Sequence, residues 1–144
     1  MNNLTPKTMT TQIFVNMHVK DLTKSTGFFE KLGYKMNPQF SDDKAACVVI
    51  SESIFAMLHT TPSMDRFIPK GRTIADANKH TEVLLALSTE SKELVESTFN
   101  KAIAAGGAEA RPAEDHGFMY LRSFSDLDGH LWEVFWFNPE ALQQ

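Results

Sequence analysis

The sequence has a single cysteine, no basic block, and no apolar run near the roughly 20 residues of a membrane span, and each shortage closes off a class of protein. Cys47 cannot form an internal disulfide. Its setting in the apolar run Ala45-Ala46-Cys47-Val48-Val49-Ile50 reads as a buried strand, where a thiol packs rather than reacts, because reactivity needs an accessible, electropositive neighbourhood. Lys and Arg number 14 against 18 Asp and Glu, a net charge of -4, so the electrostatic footprint of a nucleic-acid binder is missing. A small molecule or a protein is the expected partner. Polar residues stand where a signal peptide would carry its apolar region, and a lone unpaired cysteine suits a reducing compartment. The expected location is the cytoplasm, with no membrane partner.

At 144 residues the chain matches one domain, long enough to bury a substantial core. Residues 1–11 are polar and aperiodic and read as a flexible leader, with Met9 as a possible second start. From residue 12 to 19 the pattern alternates: Ile13, Val15, Met17 and Val19 form an apolar face, and Phe14, Asn16 and His18 a mixed one. Asp21 can cap the next helix, with Leu22, Phe28, Phe29 and Leu32 as its stripe and Gly33 at its end. Strands over residues 45–51 and 54–60 follow. Residues 61–80, with Pro62, Pro69 and Gly71, read as a connection with a helical turn near 64–68.

The second half repeats this grammar. Residues 82–88 alternate, Ser91 can cap a helix carrying Leu94, Val95, Ala102 and Ile103, and Gly106-Gly107 ends it. Strands over 118–124 and 130–137 flank the turn Asp126-Leu127-Asp128-Gly129. Gly33 and Gly106 lie 73 apart, Pro38 and Pro112 lie 74 apart, and the first strands about 70 apart, which indicates a duplicated unit. The order of elements argues for an α+β domain over residues 12–140, made of a module at 12–60, the connection at 61–80, and a module at 81–138.

Two segments carry a family resemblance. Val19-Lys20-Asp21-Leu22-Thr23-Lys24-Ser25 with Phe28-Phe29 and Leu32-Gly33-Tyr34 is one. Phe124-Ser125-Asp126-Leu127-Asp128-Gly129-His130-Leu131-Trp132-Glu133-Val134 is the other. Together they resemble the vicinal oxygen chelate superfamily of glyoxalases, bleomycin resistance proteins and extradiol dioxygenases. That resemblance implies two tandem βαβββ modules forming a shared, cup-shaped sheet cavity, in a protein that usually pairs as a homodimer. The fold leaves the activity open, so an enzyme such as a glyoxalase-like lyase or dioxygenase and a simple binder both stand.

Enzymes of the superfamily hold a divalent ion on the first and last strands of their modules, where it acts as a Lewis acid. The resemblance places those positions at Phe14, Met57, Leu84 and Glu133, of which only Glu133 can donate to a hard cation. No metal and no other cofactor is therefore expected. A rearranged site would draw on His18, His59 and Glu82, which share the faces of the lost ligands. The expected ligand-binding set is Phe14, Asn16, His18, Phe55, Met57, His59, Glu82, Leu84, His116 and Phe135, with Glu133 as a partly desolvated anchor or general base. His18 and His59 are expected at a solvated rim, and residues 66–72 as a solvated linker. The implied function is binding of a small, partly apolar molecule in the cup. The alternatives are a metal-dependent lyase or dioxygenase using Glu133, and a drug-sequestering resistance protein.

Overall fold

The computed structural model describes residues 4, 7 and 9–142, so the expected leader falls largely outside the described residues. The first module runs β1 (Ile13–His18), α1 (Leu22–Lys31), β2 (Lys35–Asn37), a 3₁₀ turn at Pro38–Phe40, β3 (Ala45–Val49) and β4 (Ile54–His59). The connection opens with α2 (Thr61–Asp65). The second module runs β5 (Leu85–Ser88), α3 (Lys92–Ala104), β6 (Ala108–Asp115), β7 (Met119–Ser125) and β8 (Leu131–Phe137).

Each module makes a four-stranded sheet, in the orders β1-β4-β3-β2 and β5-β8-β7-β6. The first strand pairs parallel with the last in both, and the remaining pairs are antiparallel. The expected α+β architecture of two βαβββ modules is what the chain forms. Both helices begin where the sequence places a cap: Asp21 accepts from the Lys24 amide and Ser91 from the Leu94 amide, each at 3.1 Å. In α3 the buried stripe is Val95, Phe99 and Ala102, whereas the expected core residues Leu94 and Ile103 are exposed. Residues 95, 99 and 102 follow the four- and three-residue steps of one helix face, and 94 and 103 flank it.

The expected apolar face of β1 is buried in its second half, whereas Ile13 at its start is 56% exposed. Met17 and Val19 are buried under α1 with Ala56, Leu58 and Val48, and this cluster is continuous with Phe99, Ala102, Phe124, Trp132 and Val134 of the second module. Phe28 meets Phe124 at 6.3 Å between ring centres, and Phe29 meets Trp132 edge-on at 5.5 Å. Polar contacts seal the same seam: Lys20 N and Ser25 Oγ donate to the Asp128 carboxylate at 2.7 and 2.9 Å. The modules are thus joined through their helix-covered faces. Burial of this joint apolar surface is worth about 25 cal/mol per Å².

Four elements depart from the sequence reading, the first being the short β2, which that reading did not place. The strand expected at residues 82–88 begins only at Leu85, because its partner β8 begins at Leu131 in the register Leu85↔Trp132, which leaves Glu82 and Val83 without a strand to pair with. The helical turn expected near 64–68 is α2, three residues earlier. Strand β6 has no counterpart in the sequence reading. It is an exposed edge with Pro112 inside it and two register shifts, so it shows neither alternation nor an apolar face.

Candidate functional site

A cavity of about 540 Å³ opens between the free edge of β1, the connection, and the start of β5 and β8. Its apolar wall includes Val15, Met17, Met64, Phe67, Ile74 and Leu85; its polar groups include Asn16, His18, Arg72, His80, Glu82 and His130. This size and mixture lie within the usual range of small-molecule sites.

The connection that roofs the cavity is pinned at both ends. Near its start, His18 Nε2 and Thr61 Oγ1 are 2.8 Å apart, and His59 Nδ1 lies 2.8 Å from Ser63 Oγ. Phe67 packs over the His59 ring with centres 5.1 Å apart. Near its far end, Asn78 lies against Gly129 of the β7–β8 turn.

His59 is 2% exposed, which corrects the expected solvated rim position. The connection folds back over the end of β4 and covers it. Asn16 donates through Nδ2 to the Phe14 carbonyl at 3.3 Å, so its Oδ1 faces His59 and accepts from Nε2–H at 2.7 Å. That leaves Nδ1 to accept from the Ser63 hydroxyl. The neutral ring is therefore fully bonded, and burial pushes its pKa below the ordinary imidazole value.

A histidine held neutral in the fold contributes stability that is complete above its unfolded pKa of about 6.5 and is lost as pH falls from there through its lower folded pKa, because the unfolded chain takes up the proton first. The urea midpoint of the wild type is expected to fall between pH 7.5 and 5.5 by more than that of His59→Gln. Equal changes in the two proteins would show that His59 protonates freely in the fold.

Of the expected ligand-binding residues, Asn16, His18 and Glu82 line the cavity. Phe14 instead stacks on Phe55 at 4.5 Å and meets Phe40 edge-on. Met57 stands in register between Asn16 and Cys47, on the face of the first sheet away from the core cluster. Leu84 precedes β5 and is 57% exposed. Phe135 lies on the second sheet's open face and stacks on Phe137. His116 belongs to the turn before β7, where its amide donates to Met119 O and its ring faces Glu114 at 3.3 Å.

Glu133, the expected anchor or general base, is ion-paired. Arg111 of β6 lies 2.9 Å from its carboxylate and 3.0 Å from that of Glu114. The pairing escaped the sequence reading because β6 did. Cys47 is fully buried, and burial raises its thiol pKa, as its apolar setting implied.

The donor set does not fit a divalent ion. His18 bonds Thr61, His59 bonds Asn16 and Ser63, and Glu133 bonds Arg111; among the described residues no three His, Cys, Asp or Glu side chains converge on one point. A rearranged site from His18, His59, Glu82 and Glu133 is not assembled by this fold.

The sequence reading missed the connection's part in the cavity, above all Arg72 and His80. Its signal was length: a stretch of about 20 residues with little regular structure inside a compact domain is uncommon and usually functional.

Residues 11–51, under a third of the chain, match the family described as bleomycin resistance protein-like N-terminal. No curated protein matches. Among solved structures, the hypothetical protein SA1046 from S. aureus is 28% identical, with 90% of this chain and 95% of that one covered and a TM-score of 0.72. A glyoxalase-related enzyme from Fulvimarina pelagi is 20% identical, with 87% of each chain covered and a TM-score of 0.71. A glyoxalase/bleomycin resistance protein/dioxygenase family enzyme from Burkholderia phytofirmans PsJN is 14% identical, with 86% of this chain and 96% of that one covered and a TM-score of 0.70. The last two share the fold alone. The N-terminal module thus matches a bleomycin resistance protein-like family, and the two-module architecture is shared along nearly the whole length with structures named for the glyoxalase/bleomycin resistance protein/dioxygenase family.

Proposed function

We propose that the chain binds a small, partly apolar molecule in the cavity between β1, the connection and β8, without a firmly held metal, and acts in the cytoplasm as a pair of copies. The cavity itself carries this reading: apolar walls supply affinity, and a few polar groups fix orientation. Phe14, Met57 and Leu84 supply no metal ligand, and the pairing of Glu133 with Arg111 supports a structural carboxylate. A drug-sequestering role is the form of this reading that the bleomycin resistance-like match favours.

Pairing is supported by exposed apolar residues at the starts of two edge strands. Strands β1 and β5 each pair with one strand only, and Ile13, Phe14, Val83 and Leu84 beside them are 56%, 39%, 58% and 57% exposed. A second copy covers such edges through an isologous contact.

Native mass spectrometry of protein purified without added ligand tests all three parts. The expected result is a two-chain mass carrying a small organic adduct and no stoichiometric Zn, Ni, Mn or Fe. One metal per chain would overturn the metal-free reading. A single-chain mass at high concentration would overturn pairing, and protein that never carries an adduct would count against the binding role.

A further inference from the structure

The cavity gathers an arginine and three histidines around one carboxylate, in a chain that is acidic overall. With histidine counted neutral the whole chain has 18 acidic against 14 basic residues, and the cavity lining has one of each, Glu82 and Arg72, together with the imidazoles of His18, His80 and His130. Three of the chain's five histidines are therefore gathered here. Two are committed: His18 Nε2 bonds Thr61, and His130 Nε2 donates to the His18 carbonyl at 2.7 Å.

Arg72 and His80 differ. Their side chains have no ion-pair or hydrogen-bond partner among the described residues, whereas Arg111 and Arg122 are each held by two carboxylates. An arginine left unpaired beside an apolar wall offers a planar fork of donors, a geometry that carboxylates match.

Resting on the reading that this cavity binds a small molecule, we infer that its ligand is an apolar acid. Its hydrocarbon or aromatic body lies against Val15, Met17, Phe67 and Leu85, and its anionic group faces Arg72 and His80. One negative charge balances Arg72; a second would meet Glu82, so a monoanion fits better than a dianion.

Isothermal titration at low salt with 4-phenylbutyrate and its neutral amide tests this. A charge-assisted contact of this kind corresponds to about tenfold in affinity, so the acid is expected to bind wild type about tenfold more tightly than the amide. Arg72→Gln is expected to remove that difference by weakening the acid alone. Ala75→Trp, which fills the cavity from the connection, is expected to weaken both. Equal binding of acid and amide, lost in Ala75→Trp, overturns the acid assignment and leaves the cavity as the site. Binding of neither compound, or binding untouched by Ala75→Trp, overturns both.

Discussion

Replacing Phe29 by alanine is expected to destabilise the whole chain by about 3–5 kcal/mol, the usual cost of emptying a buried aromatic site. Phe29 is 2% exposed, packs edge-on against Phe28 at 5.1 Å, and reaches across the seam to Trp132 at 5.5 Å. The loss removes area from water, leaves a cavity between α1 and β8, and breaks aromatic contacts worth about 0.5–1.5 kcal/mol beyond area. Against a typical total of about 5–15 kcal/mol, a large part of the folding free energy goes with one side chain.

The two tryptophans make this a test of how the modules fold. Trp132 and Trp136 both lie in β8, so intrinsic fluorescence reports the second module, while Phe29 belongs to the first. If the core is shared, urea unfolding followed by fluorescence shifts in Phe29→Ala as far as unfolding followed by far-ultraviolet circular dichroism. If the fluorescence transition stays in place while the dichroism moves, the modules fold as separate units, and the joint core contributes little.

How legible the fold was depends on how strongly each segment is patterned. Strand β1 sinks from exposed Ile13 to buried Met17 along one apolar face and β4 is largely buried, so their apolar patterning located them to within a residue or so, and the caps Asp21 and Ser91 fixed the helix starts. Strand β6 presents an exposed edge to solvent and has no apolar face for alternation to reveal. The same gap hid Arg111, and with it the partner of Glu133.

The candidate site was less legible because it depends on how the connection packs, which local pattern does not encode. Alternation correctly assigns Asn16 and His18 to one face of β1, but it cannot say that residues 64–82 cross that strand's edge and bring Arg72 and His80 beside it. The burial of His59 was hidden for a related reason: a residue at a strand end is solvated unless the chain turns back over it, and here the start of the connection does so through Ser63 and Phe67. The repeat in the sequence is also imperfect in space. Pro38 opens a 3₁₀ turn whereas Pro112 stands inside β6, so equal spacing did not mean equal structure.

Gly129→Ala is expected to cost about 2–4 kcal/mol and to weaken ligand binding as well, because this glycine sets where the connection can lie. Its φ of +89° is one that residues with a Cβ adopt only under strain. A Cβ at this position would also stand 2.4 Å from Asn78 Oδ1, 2.7 Å from its Cγ and 2.9 Å from its backbone N, so Asn78 must move. Moving Asn78 drags its neighbours Ala75, Ala77 and His80, all of which line the cavity. The two contributions separate in a double variant. Gly129→Ala with Asn78→Gly removes the side-chain clash but keeps the positive φ and the close backbone, so it should regain part of the stability and part of the affinity for 4-phenylbutyrate. Thermal denaturation and titration calorimetry on the same samples report the two together. If stability falls in Gly129→Ala while binding of the acid is unchanged, the glycine serves the turn alone, and the contact with Asn78 does not position the roof of the cavity.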